Sequence, residues 1–393
     1  MAAGCGRIAF DPLGTDASAG TADASMSACG NYVSASVPSF TTSSRTFVDV
    51  PGGSLALPPT GPWLIFVGAG LRSTSSMLHS IEVRLRADGS VRTTAENQNA
   101  QNKAMPWLYA DVVAASNVEV QARDVDGTGT IENLQIVAYR TPIGSDAVIS
   151  EFGAVQVVGT SYQPVVSVTA SPTTTANFLV LATGVVSEEP SMSDINVQLV
   201  DLQSGTIWPM PANGTNAFAN SKQTWRSVIW ARQMMLSPGT RTFRVEAASS
   251  GSSGSVRDMR IMVLPGEPLG LSRTETLPPT SVTTSQPVVM SKLTLPAPSV
   301  PTDVVTLQLM TVSGGPDASG ANPMVVDFLR DGVSRAHYEN FDPTGAPVLP
   351  FGYIDAFTTA TETTLCNQFS VADPSRMVTG KESQVLVFSR TCP

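Results

Sequence analysis

Apolar and polar residues alternate along much of this chain, most clearly over residues 242–264 (TFRVEAASSGSSGSVRDMRIMVL). Every second position is apolar on both sides of a Gly/Ser-rich tip, at Phe243, Val245 and Ala247 and again at Met259, Ile261 and Val263. A period of two is that of a β-strand with one buried face. The stretch therefore predicts a hairpin of two strands that face one core.

The same pattern occurs again elsewhere in the chain. Residues 117–139 (NVEVQARDVDGTGTIENLQIVAY) repeat it at a constant offset, with Val118 at the position of Phe243 and Ile136 at that of Ile261. Residues 365–388 give a looser version near the end of the chain. Recurrence of one supersecondary pattern at wide, similar spacing indicates repeated domains of similar fold.

The segments before each copy also correspond. Residues 63–69 (WLIFVGA) and 178–182 (FLVLA) are continuous apolar runs, which predict strands buried on both faces. Strict alternation follows in residues 81–85 (IEVRL), 195–199 (INVQL) and 324–328 (MVVDF). Asp88-Gly89 and Asp331-Gly332 predict tight turns after the first and the third of these strands.

The predicted fold class is all-β, with three tandem β-sandwich, jelly-roll-like domains preceded by an extended N-terminal arm. The arm, small and polar in composition, covers residues 1–44, and the sandwiches cover residues 45–141, 142–265 and 284–393. Residues 266–283 are rich in proline, which cannot donate a hydrogen bond within a sheet, so they predict an extended linker.

Composition agrees with many short strands and excludes some classes of function. Only 14% of the 393 residues are charged, against about 25% in an average soluble domain. The net charge of −9 disfavours nucleic-acid binding, which needs clustered Lys and Arg. Apolar runs are too short to span a membrane. The N-terminal residues lack a secretion signal, so we expect synthesis in a cytoplasm.

The four cysteines lie near the two ends of the sequence. In a cytosolic product they are expected to be unpaired thiols. The alternative is two disulfides, Cys366–Cys392 between neighbouring strands and Cys5–Cys29 in the arm. The spacings do not resemble a zinc motif, so no metal site is expected.

Residues that resemble parts of reactive sites lack the partners that catalysis requires. Residues 124–129 (DVDGTG) resemble the start of a calcium loop, but the twelfth position is Gln135 rather than Glu, which favours a turn. No serine elbow accompanies the histidines, and residues 67–70 (VGAG) lack the third glycine of a dinucleotide site. His79 precedes a predicted strand and His337 follows a predicted turn, and Glu188 and Glu189 are interpreted as a solvated loop. We therefore expect a non-enzymatic protein without a cofactor.

Aromatic residues cluster around the longest loop of the second repeat. The cluster consists of Trp208, Phe218, Trp225 and Trp230. Exposed aromatic rings can stack on sugars, and buried ones form cores or subunit interfaces. The cluster is thus a candidate glycan platform or interface.

The pattern of residues 242–247 (TFRVEA), a Gly/Ser tip and residues 259–263 (MRIMV) resembles the jelly-roll modules of tailed-phage virion proteins. Such modules occur in head decorations, head fibres, spikes and tail fibres. The resemblance covers the first two repeats well and the third partly. It implies assembly as a trimer or pentamer and an arm that docks on the capsid.

These observations predict a structural component of a phage or phage-like virion, made in the host cytoplasm. Residues 1–44 would bind other virion proteins, and the sandwiches would project outward. The alternative is a carbohydrate-binding adhesin that contacts a host-surface glycan through the Trp208, Trp225 and Trp230 region.

Overall fold

The structure is a computed structural model. It describes residues 24–59, 61–73, 80–97, 105–125, 127–141, 147–188, 195–210, 225–249, 253–276, 280–283, 285–314, 322–342, 348–371 and 377–392.

The first sandwich consists of two facing antiparallel sheets. Its strands are β1 (Ser25–Met26), β2 (Tyr32–Thr42), β3 (Val48–Ala56), β4 (Trp63–Ser73), β5 (Ile81–Ala87), β6 (Ser90–Asn97), β7 (Met105–Val113), β8 (Asn117–Asp124) and β9 (Gly129–Arg140). One sheet has the order β1-β2-β9-β4-β7 and the other β3-β8-β5-β6.

The second sandwich repeats this arrangement. Its strands are β10 (Val148–Phe152), β11 (Gln156–Val158), β12 (Gln163–Ala170), β13 (Ala176–Glu188), β14 (Ile195–Asp201), β15 (Ile207–Met210), β16 (Trp225–Leu236), β17 (Arg241–Ser249) and β18 (Gly254–Pro265). The sheets are β10-β18-β13-β16, with β11 also on β18, and β12-β17-β14-β15.

The third sandwich follows one turn of helix, α1 (Gly266–Leu269). Its strands are β19 (Leu271–Thr276), β20 (Thr280–Val282), β21 (Val288–Leu295), β22 (Thr302–Gly314), β23 (Asn322–Arg330), β24 (Val333–Asp342), β25 (Val348–Thr359), β26 (Thr363–Val371) and β27 (Val378–Thr391). The sheets are β19-β27-β22-β25, with β20 also on β27, and β21-β26-β23-β24.

Strand order identifies each unit as a jelly roll. If β1 is set aside and the interrupted strands β10/β11 and β19/β20 each count once, every sandwich has eight strands in the described part of the chain. Their sheets read first-eighth-third-sixth and second-seventh-fourth-fifth in all three units. This order is the double Greek key of a jelly roll. The predicted all-β class with jelly-roll sandwiches is confirmed.

The predicted hairpins are wrong in one respect. β17 and β18 face one core, as expected, but they belong to opposite sheets and do not pair with each other. β8 and β9 are separated in the same way. Alternation reports which face of a strand is buried, and this is the same for a hairpin and for two strands that cross a sandwich.

The predicted arm is too long. β2 pairs with β9 along its length, from Tyr32 opposite Tyr139 to Thr42 opposite Gly129, so residues 32–42 belong to the first sandwich. Their small polar side chains fit a strand whose alternate positions face solvent. Residues 1–23 lie outside the described residues.

The predicted linker at residues 266–283 is also wrong for its described part. β19 and β20 both pair with β27 and form the first strand of the third sandwich. Pro268 lies in α1, and the other two prolines of this stretch lie outside the described residues. Proline is tolerated in the first turn of a helix, where its missing N–H would have no intrahelical partner.

The two predicted Asp-Gly turns occur as expected. Asp88 and Gly89 have positive φ angles of 45° and 80° between β5 and β6, and Asp331 and Gly332 have 52° and 77° between β23 and β24. These angles define the two-residue turn that matches strand twist. The Asp88 carboxylate accepts hydrogen bonds from Ser116 Oγ at 2.8 Å and from the backbone N–H groups of Ser116 and Asn117 at 3.0 and 2.9 Å, which lowers its pKa.

Candidate functional site: the interface between the sandwiches

The strand with the continuous apolar run buries both of its faces, as its sequence predicts. Ile65 and Val67 of β4 point into the core of the first sandwich. Leu64 and Phe66 point out of the opposite face and are nevertheless fully buried. The question that the sequence leaves open is what covers this second face.

The other two sandwiches cover this second face of β4. Each jelly roll turns the outer face of its first-eighth-third-sixth sheet toward one shared apolar cluster, which we call the central core. Equivalent positions contribute from all three units: Leu64, Leu179 and Val305; Phe66, Leu181 and Leu307; Val137, Met262 and Leu386; Tyr139, Leu264 and Phe388. A single chain thus forms the counterpart of a trimer of jelly rolls.

Two glycines allow the first and third sandwiches to approach closely. A Cβ on Gly68 of β4 would lie 2.9 Å from Cδ1 of Ile354, and one on Gly352 would lie 2.5 Å from Cδ1 of Leu108. These distances are shorter than side-chain contacts in real structures, so each glycine makes room for an apolar side chain of the other sandwich. Gly68 belongs to the VGAG stretch that the sequence had already excluded as a nucleotide site.

An ion network crosses from the first sandwich to the second. Asp111 is fully buried and lies 2.8 Å from Nε of Arg92 and 3.3 Å from Nε of Arg260. Glu151 lies 3.2 Å from Nη2 of Arg92 and 3.3 Å from Nη2 of Arg260. Two cations and two anions therefore alternate, with one of each sign from either sandwich. This balance offsets the cost of burying charge.

The network is embedded among aromatic rings and backbone carbonyls. The guanidinium of Arg260 lies 5.4 Å from the ring centre of Tyr109, and burial, with Asp111 nearby, raises the pKa of Tyr109 well above its ordinary value. Arg257 donates to the backbone oxygen of Thr94 at 2.9 Å and lies 3.8 Å from the ring centre of Trp225. These contacts fix the second sandwich against the first.

Among the described residues, two tryptophans of the aromatic cluster are buried. Trp225 is 9% exposed and packs into the core of the first sandwich, and Trp230 is 3% exposed in the core of the second. Trp208 is half-buried, with its ring centre 5.8 Å from that of Trp230. Phe218 lies outside the described residues. Of the interpretations open from sequence, core and interface burial is the one observed for Trp225 and Trp230.

The turn between β1 and β2 connects the first sandwich to the third. Asp303, fully buried at the start of β22, accepts hydrogen bonds from Ser27 Oγ at 2.5 Å, from the Asn31 backbone N–H at 3.2 Å and from Thr358 Oγ1 at 2.7 Å. Ser27 and Asn31 belong to the turn, whereas Thr358 belongs to β25. The carboxylate thus fixes the turn against the third sandwich.

Both predicted disulfide pairs are wrong, and so is the expectation of unpaired thiols. Cys29, in this same turn, is bonded to Cys392, with their Cα atoms 4.7 Å apart. Cys366 is also disulfide-bonded, and Cys5 lies outside the described residues. Cys366 and Cys392 are not on neighbouring strands as predicted, because β26 and β27 belong to opposite sheets, and the packing of the sandwiches brings Cys29 and Cys392 together from opposite ends of the chain.

Of the remaining candidates, the structure describes the contacts of Asp124 and His337. Asp124 ends β8 and accepts a hydrogen bond from Gly127 N at 2.5 Å, as in a turn. His337 Nδ1 lies 2.7 Å from Asp327, and Ser334 Oγ donates to this same carboxylate at 3.3 Å. Ser334 therefore contacts the acid, whereas in a catalytic triad the serine contacts the histidine. His79 and Glu189 lie outside the described residues, and for Glu188 only the backbone is described.

Comparison with known proteins does not assign this chain to a family. No known protein family and no curated protein matches this sequence. Among solved structures, PNGF-II matches with 8% identity and a TM-score of 0.28, over 81% of this chain and 98% of that one. The triple jelly roll of an archaeal virus turret matches with 10% identity and a TM-score of 0.21, over 90% and 91%. A tandem CBM22 unit of Paenibacillus barcinonensis Xyn10C matches with 11% identity and a TM-score of 0.22, over 59% and 91%. At these scores the matches carry no functional argument.

In the part of the chain that the structure describes, no helix has the length and apolar character needed to cross a membrane.

The central core makes the three sandwiches interdependent. Phe388 is fully buried there, 5.3 Å from the ring of Phe66 and 6.0 Å from that of Tyr139. Phe388→Ala should cost about 3–5 kcal/mol of unfolding free energy and increase amide exchange in β4 as well as in β22. Phe328→Ala, inside the third sandwich, is the control, with increased exchange confined to that sandwich. Confinement of the Phe388→Ala effect to the third sandwich would contradict the shared core.

Removal of Asp111 should strongly destabilise the contact between the first two sandwiches. Asp111→Ala leaves Arg260, whose side chain is 5% exposed, without its buried carboxylate, at a cost of about 3–5 kcal/mol. Arg86→Ala breaks the more exposed Arg86–Glu119 pair and should cost less than about 1 kcal/mol. Denaturant titration measures both variants, and equal effects would contradict the assigned role of the network.

The Cys29–Cys392 bond should stabilise the folded chain when oxidised. Substitution of both residues by serine removes a bond that spans 363 residues, which should cost about 2–4 kcal/mol. Under reducing conditions the variant and the parent should melt at nearly the same temperature. An unchanged melting temperature under oxidising conditions would show that the two residues are not bonded.

Proposed function

We propose that this chain is a structural, non-enzymatic subunit of a virus particle, in which three covalently linked jelly rolls form one rigid block. The observation that supports this proposal most directly is the central core, to which each sandwich contributes the same sheet. In such a core the outer sheet faces of jelly rolls contact one another. A virus shell requires many contacts of this kind. No chemistry is needed for this role.

The packing of the three sandwiches determines which of their surfaces can contact other subunits. The sandwiches pack around one core, so they do not project outward one after another as independent modules. The faces left for contacts with other subunits are the outer surfaces of the second-seventh-fourth-fifth sheets and the loops at the sandwich ends. The low charged fraction of 14% favours close packing of such surfaces, because few charges have to be desolvated.

The finer proposal concerns attachment and place. We propose that residues 1–23 dock on other proteins of a phage or phage-like particle, in which the block is a decoration, spike or fibre subunit. The anchoring segment is shorter than the 44 residues inferred from sequence, because β1 and β2 belong to the first sandwich. A homo-oligomer such as a pentamer would use the outer faces, since the central faces are already occupied within one chain.

Removal of residues 2–23 should separate folding from assembly. The truncated protein should retain the circular dichroism spectrum and cooperative melting of the full chain but lose incorporation into particles. Full-length Cys5→Ser is the matched control, because it removes the cysteine that the truncation also removes and keeps the rest of the segment. Incorporation of the truncated protein at the level of the control would reject attachment through this segment. Light scattering on the purified full chain then shows whether it assembles with itself.

A further inference from the structure

The interior of the third sandwich is polar where the interiors of the other two are apolar. Strand register identifies equivalent positions: Gln308 pairs with Val385 as Val67 pairs with Ile136 and as Ala182 pairs with Ile261. Asn367 pairs with Phe328 as Val120 pairs with Leu85 and as Val245 pairs with Leu199. The same comparison places Thr306 at the position of Ile65 and Val180, and Ser383 at the position of Leu134 and Met259.

These side chains form one polar layer between the two sheets. Asn367 projects from β26 across the sandwich, where its amide nitrogen donates to the backbone oxygens of Leu309 at 3.2 Å and Gln384 at 2.9 Å. The same nitrogen lies 3.0 Å from Ser383 Oγ, which in turn lies 2.7 Å from Ser291 Oγ. The apolar interior on either side of this layer falls into two separate clusters.

Several polar atoms in the layer have no hydrogen-bond partner among the described residues. They are both amide atoms of Gln308, Oδ1 of Asn367 and Oγ1 of Thr306. All three residues are fully buried. Thr306 and Gln308 lie two positions apart on the inward face of β22, and Asn367 contacts the backbone of Leu309 beside them. Buried polar groups are rarely left unpaired, because each one has lost its hydrogen bonds to water.

We infer that this layer is a binding site for ordered water inside the third sandwich. The unpaired atoms include a donor, Gln308 Nε2, and acceptors, Gln308 Oε1 and Asn367 Oδ1. A metal cation would pair only with acceptors, an anion only with donors, and an apolar ligand with neither. Water both donates and accepts. Since the two atoms of one amide point in different directions, two water molecules are needed to satisfy Gln308.

A crystal structure of the intact protein, at a resolution that shows ordered water, tests the site directly. We expect two isolated density peaks, each about 2.7–3.2 Å from an amide atom of Gln308, with one also near Thr306 Oγ1 or Asn367 Oδ1. A dry layer, or Gln308 paired with other protein atoms, would overturn the inference. Because this experiment uses the unmodified chain, it does not depend on whether any variant folds.

The direction in which Gln308→Met changes the melting temperature tests the inference independently of the crystal structure. If the amide is hydrated, methionine removes the water contacts of Thr306 and Asn367, and the melting temperature should fall by several degrees. If the amide is dry and unpaired, an apolar residue of similar size should raise the melting temperature, which would reject hydration. Met310→Leu, at the next inward position of β22, is the control and should change little.

Two further measurements complete the test. Combined with Thr306→Val, Gln308→Met should lower the melting temperature by less than the sum of the two single changes, because both side chains share one water network. Additive effects would contradict a shared site. Melting should be unaffected by a chelator or by potassium or calcium salts at constant ionic strength, and a cation-dependent shift would assign the layer to an ion instead.

Discussion

The fold depends on mutual burial of three sheet faces that no single jelly roll could cover alone. A strand such as β4 is apolar on both sides, and its outer residues Leu64 and Phe66 would form an exposed patch on an isolated sandwich. Packing three equivalent patches together removes them from water at once. The glycines Gly68 and Gly352 and the Asp111–Arg260 contact refine this packing, but they act within an arrangement that apolar burial requires.

Much of this architecture could be predicted from sequence. Alternation and its repetition predict the all-β class and tandem sandwiches, the resemblance to virion modules adds the jelly roll, and the run WLIFVGA correctly indicates two-sided burial. The pattern could not show that β17 and β18 lie in opposite sheets, because an inward-facing strand has the same period in either sheet. Residues 32–42 were assigned to an arm because small polar residues on an edge strand give a weak periodic signal.

The contacts between sandwiches were harder to predict, for a physical reason. Residues that meet there are far apart in the chain, as with Cys29 and Cys392 or Asp303 and Asn31, and a single sequence carries no record of such contacts. The tryptophans show the same limit, since aromatic clusters can cover an interface or present a platform. The sequence does carry one signal of the polar layer, because Gln308 and Asn367 occupy inward positions that are apolar in both other repeats.

The Cys29–Cys392 bond gives the described chain the connectivity of a ring. Each sandwich is linked covalently to the next, and the bond links the last to the first, so no sandwich is terminal in the usual sense. A chain opened at one of the other junctions, with residues 29 and 392 joined by peptide instead, would have the same neighbours in the same cyclic order. A circularly permuted chain, with its termini at a different junction between sandwiches, would therefore keep the same three units in contact around the common core.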